Sequence, residues 1–143
     1  MAYQQDLHFR QWFKVVEKMG YDWSKDLEHV AFGMVSYEGR ALSTREGYVV
    51  YLDELLTRAV EKAREIIEEK SPNLADKDKV ARQVGIGAVV FFDLFNNRIK
   101  DIDFRWERVL NFDGETGPYV QYTHARCCSV LAKAGELSAA PDY

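Results

Sequence analysis

From Leu52 to Lys70 the apolar residues Leu55, Leu56, Ala59, Ala63, Ile66 and Ile67 recur at helical spacing, while Glu54 and Arg58 sit one turn apart on the wet side. That stripe commits the stretch to an amphipathic α-helix. Its stability then has to come from packing the apolar face against other elements, because propensity alone leaves isolated helices marginal in water.

The rest of the chain is read outward from this helix. Residues 5 to 19 place Leu7, Trp12, Val15, Val16 and Met19 at helical spacing and stop at Gly20, which predicts a second amphipathic helix. Ser71-Pro72-Asn73 breaks the 52–70 helix, and Asp76 is expected to start a helical stretch through about Val84, with Gly85 permitting a kink. Residues 86 to 95 are almost wholly apolar and predict a buried helix, ended by Asn96-Asn97-Arg98. Asp103 is expected to cap a helix holding Trp106, Val109 and Leu110. Gly114 to Gly117 read as a turn, and Pro118 suits the first turn of a last helix to about Lys133, where Val120, His124, Cys127 and Leu131 share a side. The tail SAAPDY is expected to fray.

Extended structure is confined to the first third. His29 to Ser36 is rich in β-branched and aromatic residues and predicts a buried strand closed by Gly39, and Tyr48 to Tyr51 predicts a second that pairs with it across a loop. The expected fold class is therefore mainly α with a short β element.

At 143 residues and 47% hydrophobic content the chain is long enough for one domain with a core. The net charge of −4 argues against holding nucleic acid by bulk electrostatics, so any contact with RNA should be local. No apolar run reaches the roughly 20 residues that span a bilayer, and MAYQQDLHFR lacks a signal-peptide core, which predicts no membrane and a cytoplasmic location. Cys127 and Cys128 are adjacent, a spacing that strains a disulfide, and read as reduced thiols on a helix. Three scattered histidines supply no metal-ligand spacing, so no metal site is expected. Gly85-Ile86-Gly87 is an incomplete phosphate-loop pattern with no clear strand before it, and reads as helix kinking or tight packing.

Three segments carry a resemblance. Residues 41–47, ALSTREG, are similar to the MSTRKG form of the second signature loop in arginyl-tRNA synthetases, where other class I synthetases have KMSKS. QQDLHFRQ at residues 4–11 resembles the Gln-rich entry to the helix that helps bind the amino acid, and GETGPYVQYTHAR at residues 114–126 resembles the junction into the anticodon-binding domain. The order matches the family's, so the chain resembles an interior piece of a class I arginyl-tRNA synthetase. The resemblance implies the second half of a Rossmann-type catalytic domain in residues 1–112. It also implies a linker and the first helix of a helical-bundle anticodon-binding domain in residues 113–143.

The resemblance also implies an activity: ATP-dependent activation of arginine and its transfer to tRNA(Arg). Catalytic roles fall on Ser43, Thr44 and Arg45, since fixed donors and cations stabilise developing phosphate charge. Gln5, with His8 and Gln11 at three-residue steps beside it, falls on the arginine-binding stretch, where an amide both donates and accepts. The strand with Gly33, Met34 and Val35, together with Leu42 and Ser43, falls on the ATP site, Gly33 allowing close approach; a plain core strand is compatible with the same residues. Tyr119, Tyr122 and Arg126 recur at helical spacing and are suited to stacking on tRNA, although aromatic residues so spaced are also usual in cores. ATP with Mg²⁺ is the implied substrate, and no tightly bound cofactor is implied.

The loop departs from its relatives at Glu46, where they carry lysine, and at Ala41. With Arg40 and Arg45 set against Glu38 and Glu46 it is near neutral, and a carboxylate facing triphosphate is repulsive unless Mg²⁺ or another side chain intervenes. The family's HIGH motif is not in this sequence, so the isolated chain is expected not to charge tRNA and, with surface bared, to self-associate as a symmetric dimer. The alternative reading is a free-standing, non-catalytic paralogue acting as a binding or regulatory module.

Overall fold

A computed structural model describes residues 1–135; the tail from 138 to 143, expected to fray, lies outside the described residues. The chain divides into two compact units, one built from Met1–Val49 and Leu94–Arg105, the other from Val50–Asp93 and the chain from Trp106 onward.

The second unit is a helical bundle. Helix α2 (Leu52–Lys70) forms as its stripe demands, with Asp53 and Glu54 in the first turn opposing the helix dipole. Helix α3 (Lys77–Phe95) is continuous, with no break at Gly85. The expected kink is absent because Gly85 is a packing residue: a Cβ there would stand 2.5 Å from the Ala59 carbonyl oxygen of α2. The helix does start where Asp76 predicted: Asp76, at φ +54°, stands just before Lys77, and its carbonyl accepts from the Val80 N–H at 3.1 Å. Ala63, Ile67 and Ala81 form the buried contact between the two helices, flanked by Val60, Val80 and Val84. Lys77 donates to Glu68 at 2.7 Å and Arg64 pairs with Asp78 at 3.1 Å, tying the end of α2 to the start of α3.

Helix α4 (Trp106–Val109) is short and contributes two buried side chains, Trp106 and Val109. Helix α5 (Gly117–Ala134) starts at an N-cap, Thr116, whose hydroxyl accepts from the Tyr119 N–H at 3.2 Å, and carries Pro118 in its first turn. Gly117 lies where a Cβ would meet the Gly87 carbonyl at 2.9 Å, so a second glycine-dependent approach joins α5 to α3. The 86–95 stretch is only partly covered: Ala88 and Val89 are buried, whereas Val90, Leu94 and Phe95 are exposed.

The first unit opens with a 3₁₀ turn at Tyr3–Gln5 and helix α1 (Asp6–Lys18). Its inner side is Val16 with half-buried Phe9 and Phe13, and the expected stripe is otherwise on the outside, since Leu7, Trp12, Val15 and Met19 are exposed. The aromatic residues win because Phe9 stacks on His29 with ring centroids 4.1 Å apart and also meets Phe13 edge-on.

A three-stranded sheet has the order β2-β1-β3, where β1 is Val35–Tyr37, β2 is Arg40–Ala41 and β3 is Ile102–Phe104. Strand β1 pairs antiparallel with β2 and parallel with β3, Ser36 lying opposite both Ala41 and Asp103. Three expectations are corrected here. The strand predicted at 29–36 is regular only from Val35, because upstream its backbone is held by the 98–101 segment: Gly33 N–H donates to the Arg98 carbonyl, and Met34 N–H donates to the Asp101 carboxylate at 2.6 Å. Asp103 caps no helix, because it lies in β3 and its carboxylate serves the β1–β2 turn. The strand expected at 48–51, paired with 29–36, does not form either: Tyr48 makes a single antiparallel bridge to Ser43, β1 takes Arg40–Ala41 as its antiparallel neighbour instead, and Tyr51 is the N-cap of α2.

Candidate functional site

The loop 41–47 grows from a tight hairpin. Glu38 and Gly39, between β1 and β2, have φ of +51° and +78°, the double positive-φ pattern of a two-residue turn whose twist matches the strands. Glycine takes this conformation freely, whereas glutamate does not. The turn is held from outside. Asp103 Oδ1 accepts from the Gly39 N–H at 2.8 Å and from Ser36 Oγ at 2.9 Å, and Glu38 N–H donates to the Phe104 carbonyl at 2.9 Å. Arg105 Nε donates to the other Asp103 oxygen. The Arg105 bond first, and the Gly39 N–H second, hold the Asp103 carboxyl down at about 2.

Beyond β2 the loop closes on itself. Ser43 and Tyr48 exchange N–H···O bonds at 2.9 Å in both directions, leaving Thr44, Arg45, Glu46 and Gly47 as an exposed four-residue tip. Gly47 has φ of +69°, and its N–H reaches the Thr44 carbonyl at 3.3 Å. Ser43 Oγ accepts from the Glu46 N–H at 3.3 Å, so its hydroxyl is part of the loop's own frame. The Arg40 guanidinium lies over the Tyr48 ring, 4.1 Å from its centroid, and stands 4.0 Å from the Glu46 carboxylate. Glu46 is thus answered from within the loop, by the kind of intervening side chain that its charge calls for. Tyr48 OH donates back to the Tyr37 carbonyl at 3.4 Å.

The backbone at 33–34 offers no free amide. The N–H groups of Gly33 and Met34 are both taken by the 98–101 segment, and the close approach that Gly33 permits is to Lys100, whose carbonyl oxygen would lie 2.1 Å from a Cβ. Met34 and Val35 remain exposed as an apolar surface. Arg98 donates to the Ala31 carbonyl, and Asp101 also accepts from the Tyr3 hydroxyl at 3.3 Å, its negative charge pushing that phenol up.

Gln5, His8 and Gln11 are exposed, and Gln5 stands in the 3₁₀ turn before α1 rather than on the helix with the other two. The His8 ring meets Phe9 edge-on at 5.9 Å. None of the three lines the cavity of about 210 Å³ formed by Asp6, Phe9, Arg10, Phe13 and His29. There His29 Nδ1 lies 2.9 Å from Asp6 and its Nε2 lies 3.2 Å from the Met1 carbonyl. On α5, Tyr119 and Tyr122 are exposed rather than core, and Arg126 both donates to the Tyr122 hydroxyl at 3.1 Å and lies 5.6 Å from that ring's centroid. Cys127 and Cys128 are free and exposed, Cys128 Sγ being 3.5 Å from His124 Nε2. Among the described residues no cluster of three or more His, Cys, Asp or Glu is placed to hold a metal, and no helix is long and apolar enough to cross a membrane.

The loop, its 38–39 turn and the 33–35 segment therefore lie together in one unit, joined by the sheet. Sequence reasoning missed Asp101 and Asp103, the residues that hold this arrangement. Their signal was available as Asp101-Ile102-Asp103-Phe104, an alternation of polar and apolar residues that belongs to a strand.

Known proteins share this pattern. An arginine–tRNA ligase of Alkaliphilus metalliredigens is 64% identical over 132 residues, covering 92% of this chain and 23% of the relative. One from Clostridioides difficile is 61% identical over 141 residues, covering 98% and 25%. In three dimensions the chain is similar to Thermus thermophilus arginyl-tRNA synthetase, with a TM-score of 0.73 and 45% identity over 83% of this chain and 19% of that one. The chain thus spans about a quarter of the length of the curated relatives it matches. The profile of the family described as tRNA synthetases class I (R), catalytic domain, matches residues 1–106, and the chain belongs to that family.

Proposed function

We propose that the chain supplies one wall of the active site of an arginine–tRNA ligase, an enzyme that activates arginine with ATP and transfers it to tRNA(Arg). The observation that carries this is the closed hairpin at Ser43–Tyr48, which puts the arginine of the signature-like loop at an exposed tip. Arg45 makes no hydrogen bond or ion pair among the described residues and is therefore available to phosphate. Thr44 beside it adds a hydroxyl, while Ser43 keeps the loop in shape. These donors are placed before charge develops, which is how electrostatic stabilisation of a phosphoryl-bearing transition state works.

The apolar surface of Met34 and Val35, with half-buried Leu42, is the side on which the adenine base would rest. Gln5, with His8 and Gln11 nearby, serves the arginine substrate, Mg²⁺ enters as the companion of the ATP phosphates, and Tyr119, Tyr122 and Arg126 offer a stacking surface to tRNA. Residues 1–112 then belong to the catalytic domain and 113–143 open the anticodon-binding domain, in a cytoplasmic enzyme. The isolated chain lacks the opposing wall and does not charge tRNA by itself. Its exposed apolar residues on α1 and α3 drive self-association, as a dimer that light scattering over a range of concentrations would reveal.

Arginine-dependent ATP–pyrophosphate exchange, run with the chain alone and with a full-length relative carrying these residues in place of its own, tests the reading. Exchange by the chimaera and none by the chain alone is expected; an inactive but folded chimaera would sink it and favour a paralogue that has lost catalysis.

A further inference from the structure

The loop at 41–47 is attached to the fold through a narrow base. Strand β2 contributes Arg40 and Ala41 alone, so the loop beyond it is oriented by the Glu38–Gly39 turn, by the contacts Arg40 makes from there and, at its far end, by the Tyr48 hydroxyl on the Tyr37 carbonyl. That turn holds a glutamate at positive φ, a conformation that persists only where surrounding structure enforces it.

Two groups of β3 enforce it: the Phe104 carbonyl, which accepts from the Glu38 N–H, and the Asp103 side chain. One carboxylate oxygen takes the Gly39 N–H and Ser36 Oγ together, clamping the turn to strand β1, and the other takes Arg105 Nε. The Arg105 guanidinium itself sits against the turn, 3.2 Å from where a Cβ on Gly39 would stand. Asp103 is opposite Ser36 in the parallel β1–β3 register, so the same residue that zips the sheet grips the hairpin. From the turn the chain passes to Arg40, whose guanidinium covers Tyr48 and faces Glu46 across the base of the loop.

We propose that Asp103 is a positioning residue for the nucleotide-binding loop, acting through the Gly39 N–H on the turn from which residues 41–47 extend. It touches no substrate. A loop that swings freely presents Arg45 over a wide arc and spends little time at any one phosphate; a loop held at its base presents it in one place, which is the preorganisation that electrostatic catalysis needs. The inference rests on the reading of 41–47 as the ATP loop, and its test separates the two.

Amide hydrogen exchange is measured by NMR on the 143-residue chain and its variants, with ATP titrated in parallel into the full-length chimaera carrying the same substitutions. In Asp103→Ala, the Ser43 and Tyr48 amides are expected to exchange about tenfold faster, the effect of losing a hydrogen bond to an ionised acceptor, while the Ala63 amide in α2 keeps its rate. Asp103→Asn, which retains an acceptor for Gly39 but not the charge that draws Arg105, is expected to give an intermediate increase of about threefold. Should Asp103→Ala not fold, Asp103→Asn with Arg105→Gln carries the same comparison. Unchanged loop amides, or an equal acceleration of Ala63, overturn the proposal, since the second outcome describes a general loss of stability. ATP binding should weaken in step with loop exchange. Uptake of ATP is judged on the full-length chimaera, where the opposing wall is present: a folded chimaera that takes up no ATP sinks the reading of the loop, and the exchange rates still decide the role of Asp103.

Discussion

Gly85 rests against the carbonyl of Ala59, so close that a methyl group would stand 2.5 Å from the oxygen and 2.6 Å from the carbonyl carbon. Both atoms are backbone and cannot turn aside. In a free helix alanine is better than glycine by about 1 kcal/mol, so Gly85→Ala separates propensity from packing. We expect the variant to be less stable by about 1–3 kcal/mol, the usual penalty for overpacking a close contact. Urea unfolding followed by far-ultraviolet circular dichroism measures it; a gain in stability would show that α2 and α3 separate without cost.

Asp103 makes acid sensitivity specific. Its carboxyl is held at about 2 against an ordinary 3.8, so its contribution is complete above 3.8 and disappears as the pH falls through about 2. Asp103→Asn should remove that part of the acid transition in the first unit. The Trp12 and Trp23 fluorescence, with Trp106 replaced by phenylalanine in both proteins, reports it, and superimposable acid titrations of parent and variant would contradict the assignment.

The start of α5 depends on one hydroxyl. Thr116→Ala removes the acceptor for the Tyr119 N–H and should cost about 1 kcal/mol, whereas Thr116→Ser should cost only a few tenths. Chemical denaturation of the three proteins orders them, and an alanine variant as stable as the parent would mean the cap is idle.

At the loop tip, Arg45→Ala should lower ATP affinity about tenfold, the loss of one charge-assisted contact, while leaving the melting temperature in place. Glu46→Lys releases Arg40 as well as reversing a charge, so it should tighten ATP binding. Calorimetric titration distinguishes these, and an Arg45→Ala variant that binds ATP as the parent does would remove Arg45 from the site.

Much of the helical unit was legible. The stripe from Leu55 to Ile67 produced α2, and Pro118 placed the start of α5 within a residue, because both signals are local. What the sequence withheld depends on partners far along the chain. Asp103 looks like a helix cap until the parallel strand it joins is known, and that strand lies 67 residues earlier, at Ser36. The stripe on α1 misled for a related reason: Phe9 is turned inward onto the ring of His29 and Phe13 packs edge-on against Phe9, contacts no periodicity announces. At the candidate site, the loop was found by its residue pattern, but the pairing of Arg40 with Glu46, which eases the repulsion expected of that carboxylate, came only with the fold.

The parallel β1–β3 pairing also fixes an order of events on the ribosome. Residues 1–49 cannot complete their unit until 94–105 have been made, and the whole of α2 and most of α3 emerge in between. At synthesis rates of about 5–20 residues per second, the hairpin that carries Ser43 to Tyr48 waits several seconds for Asp103 to arrive. During that interval the hairpin has only its own contacts, Ser43 with Tyr48 and Arg40 over the Tyr48 ring, and lacks the carboxylate that grips its turn in the finished unit.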